Sequence, residues 1–136
     1  MEHIYISFNN SITEFNYSLQ KIISYFETGN YSEELKFNIQ LCIDELVTNI
    51  INYGYPDEAE GKIEIYIDIT SDKIIIKIFD DAIAYNPLDA PEPDLDAPIE
   101  SRKIGGLGVF LVKNLTQNQF YERINNKNHF QIEFHL

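Results

Sequence analysis

The chain has 136 residues, 44% of them hydrophobic, enough for one globular domain, residues 1–136, with a real core. Ten basic residues against 22 acidic ones give a formal charge of -12 without any Lys/Arg cluster, which argues against nucleic acid and against an anionic membrane as partners. The single cysteine, Cys42, excludes an intramolecular disulfide, and no leader-like segment or run of membrane-spanning length is present, so a soluble protein of the reducing cytoplasm is expected.

Residues 3–8 alternate, with Ile4, Ile6 and Phe8 on one side, and read as a half-buried strand. Ser11 and Glu14 form an S-x-x-E capping box before a helix carrying Ile12, Phe15, Leu19, Ile22, Ile23 and Phe26, which Gly29-Asn30 stops. Ser32, with Glu33 and Glu34 in the first turn, caps a second helix that Gly54 and Pro56 end. Its apolar stripe is Leu35, Ile39, Cys42, Ile43, Leu46, Ile50 and Tyr53, widened by Val47 and Ile51. A hairpin follows: Ile63, Ile65, Ile67 and Ile69, a turn at Ser71-Asp72, then Ile74, Ile76 and Ile78, closed by Asp80-Asp81. From there to Lys103 the prolines and acids predict an irregular loop, either a lid or a disordered segment. Gly105-Gly106-Leu107-Gly108 opens a third helix, Val109 to Thr116. A final hairpin, Gln119 to Ile124 and His129 to Leu136, turns at Asn125-Asn126 and points Phe130, Ile132, Phe134 and Leu136 one way. This order predicts an α+β two-layer sandwich: a mixed, mostly antiparallel sheet covered on one face by three helices.

Three features carry chemistry. Glu45, Asn49 and Asn52, at i, i+4 and i+7, share an edge of the central helix beside its apolar arc, where they suit a divalent cation or a reacting hydroxyl, or form an ordinary solvated edge. Asp80-Asp81 places carboxylates at a strand end. The glycine cluster offers backbone N–H groups and a helix dipole to an anion, or simply makes a tight turn. Together they supply what a nucleotide site needs: an acceptor for a base, a cation ligand, donors for phosphates, and a loop to exclude water.

In these stretches the sequence resembles the GHKL ATPases of the Bergerat fold, and within them the anti-sigma-factor serine protein kinases of the sporulation and stress-response type. The resemblance rests on Glu45-Leu-Val-Thr-Asn49 followed by Ile-Ile-Asn-Tyr-Gly-Tyr, on Asp80-Asp81-Ala82-Ile83-Ala84, and on Gly105-Gly106-Leu107-Gly108-Val109, and runs over essentially the whole chain. It implies ATP with Mg²⁺ on Asn49, Glu45 as the general base toward a hydroxyl nucleophile, and Asp80 as acceptor for the adenine amino group. Gly105, Gly106 and Gly108 would donate to phosphates beneath a lid of about residues 86–104. Asn52, Ala82, Ala84 and Leu107 would line the nucleotide, and Arg102 and Lys103 would either reach the terminal phosphate or stay solvated. The implied partners are a sigma factor or other regulatory protein and a small STAS-type antagonist as phospho-acceptor, with homodimers often formed by related proteins.

The chain departs from the family's Asp-x-Gly-x-Gly box at Ala82 and Ala84, where methyl groups stand in place of glycine hydrogens, and its lid is acidic. Hence the leading expectation, a serine/threonine protein kinase acting by partner switching, stands beside a non-catalytic binding module and a GHKL hydrolase or histidine-kinase ATPase half. Against the last, none of His3, His129 and His135 falls on a predicted helix.

Overall fold

Among the described residues, the period-two isoleucines and the capped amphipathic runs become ten elements of which eight are regular helices or strands. The structure is a computed structural model that describes residues 1–91 and 106–136. In chain order these elements are β1 (Glu2–Asn9), α1 (Ile12–Glu27), α2 (Glu33–Tyr53), β2 (Lys62–Ile69), β3 (Lys73–Asp80), α3 (Gly106–Leu115), β4 (Asn118–Ile124) and β5 (Lys127–His135), with short 3₁₀ turns at Pro56–Glu58 and Pro87–Asp89. The strands form one sheet in the order β1-β2-β3-β5-β4. Every pairing is antiparallel, the limiting case of the mostly antiparallel sheet expected.

Local chemistry sets the boundaries. Ser11 Oγ accepts from Glu14 N–H at 3.4 Å, while the Glu14 carboxylate reaches back to the Asn9 N–H at 3.2 Å, two positions earlier than a capping box implies, because Ser11 N–H already bonds the Asn9 carbonyl. Ser32 Oγ accepts from Leu35 N–H at 3.1 Å and starts α2. Asn125 and Asn126 take φ of 53° and 59°, the left-handed pair that a two-residue hairpin turn requires. The third helix begins at Gly106, three residues before the expected Val109, so Gly108 lies inside its first turn.

The inward side of the sheet carries Ile63, Ile65, Ile67, Ile74, Ile76, Ile78, Ile132 and Phe134, all buried against Phe15, Leu19, Ile22 and Phe26 of α1 and Ile39, Cys42, Ile43, Leu46 and Val47 of α2. Each such side chain contributes roughly 1.5–3 kcal/mol by leaving water. Three expected apolar-face residues fall outside the core. Ile12 is 41% exposed in the first turn of α1, Tyr53 is 55% exposed because it ends α2 past the core, and Leu136 is 52% exposed because it lies beyond the last strand pair. Among the described residues, no helix is long and apolar enough to cross a membrane.

Phe15 is fully buried and Phe37, on α2, is 62% exposed. Phe15→Ala should therefore cost about 3–5 kcal/mol of unfolding free energy, and Phe37→Ala no more than about 0.5 kcal/mol, in urea titrations followed by circular dichroism.

Candidate functional site

Beyond the last turn of α2 the helix layer and the sheet part to leave a cavity of about 240 Å³. Leu46, Asn49, Ile50 and Tyr53 of α2 form one wall, Ile78 and Asp80 of β3 with Phe130 and Asn128 of β5 form the floor, and Ala82 to Tyr85, Pro87, Val109 and Tyr121 close the sides. The walls are mostly apolar, and the volume lies just below the range of about 300–1,000 Å³ that takes a whole drug-sized ligand. It suits a planar base, with any charged tail lying outside.

Asp80 is the acidic group in this floor and is 4% exposed. Its Oδ1 accepts from Ala82 N–H at 3.0 Å and from Asn128 Nδ2 at 2.8 Å, while Oδ2 has no partner among the described residues. Burial raises its pKa above the ordinary carboxylate value, and the bonds from Asn128 and Ala82 oppose that rise. A buried acceptor left with one open oxygen is what an amino-bearing base would complete.

The loop after β3 is held in place by bonds on every side. Asn128 Nδ2 also donates to the Ile83 carbonyl at 2.9 Å, and its Oδ1 accepts from Tyr85 N–H at 3.2 Å and Tyr121 OH at 2.5 Å. Arg123 Nη1 donates to the Ala82 carbonyl at 2.9 Å, and Ile83 N–H donates to the Gly54 carbonyl at 3.0 Å. Neither Ala82 nor Ala84 has positive φ, so glycine's conformational freedom is not used here. The close approach is made from the other side: a Cβ at Gly54 would lie 2.7 Å from the Ala82 methyl and 2.6 Å from the Ile50 carbonyl oxygen. Asp81 belongs to the framework, its Oδ1 accepting from Tyr55 OH at 2.8 Å and Lys62 N–H at 3.0 Å.

Asn49 lines the cavity, and Glu45 lies one helical turn before it, toward α3. A Cβ at Gly108 would overlap the Glu45 carboxylate, so the first turn of α3 and this acid share one small space. Glu45 is partly buried, and its pKa is raised by burial first and by the neighbouring Asp44 second. Among the described residues, no group of three or more His, Cys, Asp or Glu gathers to hold a metal. A hard cation here would take the Asn49 oxygen and fill its other positions with ligand phosphates and water, which is how Mg²⁺ is commonly held.

The structure thus brings together Glu45, Asn49, Asp80, Ala82, Ala84 and Gly108. Asn52 is exposed and does not line the cavity, because it sits in the final turn of α2 where no described element covers it. Leu107 is 38% exposed and is not part of the lining. Gly106 starts α3. Arg102, Lys103, Gly105 and the proposed lid from residue 92 onward lie outside the described residues. At the near end of that loop, Pro87 is buried and the Leu88 carbonyl accepts from Lys113 Nζ of α3 at 3.1 Å. Sequence reasoning missed Asn128, Tyr121 and Arg123. An asparagine at an inward position of an otherwise apolar strand face, between Asn126 and Phe130, was the available signal for the first.

A family model described as the histidine kinase-like ATPase domain matches residues 18–134. The chain is similar to the Serine/threonine-protein kinase BtrW of Bordetella bronchiseptica, 27% identical over 105 residues, which is 77% of this chain and 74% of that protein. It is similar to the Serine-protein kinase RsbW of Oceanobacillus iheyensis, 28% identical over 71% of this chain and 62% of the relative, and to that of Listeria monocytogenes serovar 1/2a, 25% identical over 64% and 58%. The matched segment therefore spans less than two thirds of both RsbW proteins. Among solved structures, the Acinetobacter baumannii histidine kinase AdeS shares the fold with a TM-score of 0.51 at 19% identity, over 99% of this chain and 68% of that one. Because the matching family model runs from α1 to β5, the chain belongs to the histidine kinase-like ATPase domain family, the GHKL group of ATP-using domains.

Proposed function

We propose that this chain is a serine/threonine protein kinase that binds ATP with Mg²⁺ and phosphorylates a small STAS-type antagonist protein, releasing or capturing a sigma factor or similar regulator as the antagonist's state changes. The observation that carries the reading is the placement of Glu45: a partly buried carboxylate of raised pKa against Gly108 of α3, one turn from Asn49, which lines a base-sized cavity floored by Asp80. The kinase names of BtrW and RsbW support it. A cytoplasmic site of action goes with such partners.

In this reading Asp80 Oδ2 accepts from the exocyclic amino group of adenine, and the apolar walls hold the ring. Asn49 supplies an oxygen to Mg²⁺, whose role when bound is to neutralise charge on the phosphates. Glu45 Oε accepts the proton of the incoming serine or threonine hydroxyl as its oxygen bonds the γ-phosphorus and the bond to the β–γ bridging oxygen breaks, with ADP leaving. The backbone of α3's first turn, from Gly106 to Gly108, faces the phosphate side, and the missing side chain at Gly108 leaves room for the carboxylate to work. A non-catalytic binding module, the alternative suggested by Ala82, finds less support, since that methyl is accommodated against Gly54 and the acid on α2 is in place.

Transfer of labelled γ-phosphate to a STAS-type protein, with calorimetry of ATP binding alongside, tests this. Glu45→Ala should lower the transfer rate by at least about a hundredfold while leaving ATP affinity within a few-fold; parallel loss of both would make Glu45 a structural residue. Asp80→Asn should weaken ATP binding about ten- to a hundredfold by removing a charged acceptor and narrow the preference for ATP over GTP, and an unchanged preference would remove Asp80 from base recognition. The rate should also fall with acid. A general base works only deprotonated, and the Glu45 pKa lies above the ordinary carboxylate value, so activity should decline at a higher pH than a solvent-exposed glutamate would give.

A further inference from the structure

Every second residue of β5 turns inward, and the set that carries Phe130, Ile132 and Phe134 into the core begins with an amide, Asn128, which is 5% exposed. A leucine would fill that position with no polar group to satisfy. A buried amide must find acceptors for its two N–H bonds and donors for its oxygen, because unmet ones are destabilising. Asn128 finds all of them. Its Nδ2 donates to Asp80 Oδ1 at 2.8 Å and to the Ile83 carbonyl at 2.9 Å, and its Oδ1 accepts from Tyr85 N–H at 3.2 Å and from Tyr121 OH at 2.5 Å. Two of these partners are backbone groups whose roles cannot be exchanged, since the Ile83 carbonyl only accepts and the Tyr85 N–H only donates. The amide is thereby locked in one sense, nitrogen toward Asp80.

That lock decides what the cavity floor can read. Asp80 lies directly opposite Asn128 in the β3–β5 pairing, and its Oδ1 faces two donors, Asn128 Nδ2 and Ala82 N–H, neither of which can accept a hydrogen bond. The carboxylate is held as an acceptor on that side and is turned so that Oδ2 is the oxygen left for the cavity. Burial pushes the Asp80 pKa up, and the Asn128 bond is the largest influence against that rise, ahead of the Ala82 N–H and the Arg123 guanidinium, while Asp81 acts with burial. Asn128 itself has nothing left to offer a ligand. The backbone donors beside it are engaged too: Ala82 N–H on Asp80, Ile83 N–H on the Gly54 carbonyl, Tyr85 N–H on Asn128. Of these groups only Asp80 Oδ2 stays open, an acceptor that a ring bearing an amino group satisfies and a ring without one leaves buried and unmet.

We propose that Asn128 is a positioning residue that sets the base specificity of the site: by fixing the Asp80 carboxylate it makes the exocyclic amino group the feature recognised, without touching the ligand itself. The inference rests on the reading of the cavity as an ATP site, and binding alone tests it, apart from phosphoryl transfer. The probes are ATP and purine riboside 5′-triphosphate, which carries hydrogen in place of adenine's amino group, titrated calorimetrically with circular dichroism and melting as the control for folding. Wild type should prefer ATP about ten- to a hundredfold, the effect of one bond to a charged acceptor. Asn128→Leu, close in volume, should narrow that preference to within about threefold by weakening ATP binding, with the affinity for purine riboside triphosphate changed no more than about threefold. A merely structural role would loosen the loop and weaken both nucleotides alike, and a ratio kept in this way overturns the proposal, as does a wild type that binds both equally. Should Asn128→Leu unfold, Asn128→Ser decides: its hydroxyl stops one atom short of the amide nitrogen, and water in the space can satisfy Ile83 and Tyr85 without orienting Asp80. Its preference should fall at least about fivefold, and a wild-type preference there overturns the proposal. A wild type that selects ATP yet transfers no phosphate removes the kinase reading and leaves this one standing, whereas a wild type that binds neither nucleotide removes both.

Discussion

One helix has to satisfy two neighbours at once, and the rest of the molecule is arranged around that demand. On one side α2 buries Ile39, Cys42, Ile43, Leu46 and Val47 against the isoleucine face of the sheet. On the adjoining edge it presents Glu45 toward α3 and Asn49 toward the cavity. Residues on a helix are about 100° apart, so a slip of one position would carry Glu45 into the core or lift Leu46 and Val47 out of it. Both outcomes are costly, a buried unpaired carboxylate in the first case and lost apolar burial in the second. The packing that stabilises the fold therefore also sets the azimuth of the candidate catalytic base.

A second constraint lies at the end of β3, where a carboxylate is buried beside an apolar pocket. Asp80 keeps its place because Asn128, which follows it by 48 residues, donates to one of its oxygens and at the same time ties down the Ile83 carbonyl. Tyr121 and the Tyr85 N–H complete the other end of that amide. With the loop clamped from β4, β5 and the α2 cap, glycine is not needed at positions 82 and 84. The room for close approach is provided instead by Gly54, against which the Ala82 methyl rests.

The two faces of the sheet divide the work. Isoleucines on the inner face hold the helices that carry Glu45, Asn49 and Gly108, and the outer face carries a row of rings, Tyr5, Tyr66, Phe79 and His129, with no described element against it. Because strand side chains alternate, a substitution on one face leaves the other largely untouched.

Periodicity and caps were legible directly. Alternating isoleucines, Ser11 and Ser32 before apolar runs, and Asn125-Asn126 between strands report local backbone preference, and local preference suffices to place elements within a few residues. The rim of Glu45 and Asn49 was legible for the same reason, since both lie on one helix. Asn52 shares that spacing yet stands in solvent, because spacing names the edge of a helix and not how far along it a neighbour reaches. The partnership of Asp80 with Asn128, the contact of Gly108 with Glu45, the fit of Ala82 under Gly54 and the ring row from Tyr5 to His129 join residues distant in sequence. Sequence alone determined the elements and their apolar faces; only the tertiary structure decided these meetings, because each depends on strand register and on the stacking of helices over the sheet, which no local pattern encodes.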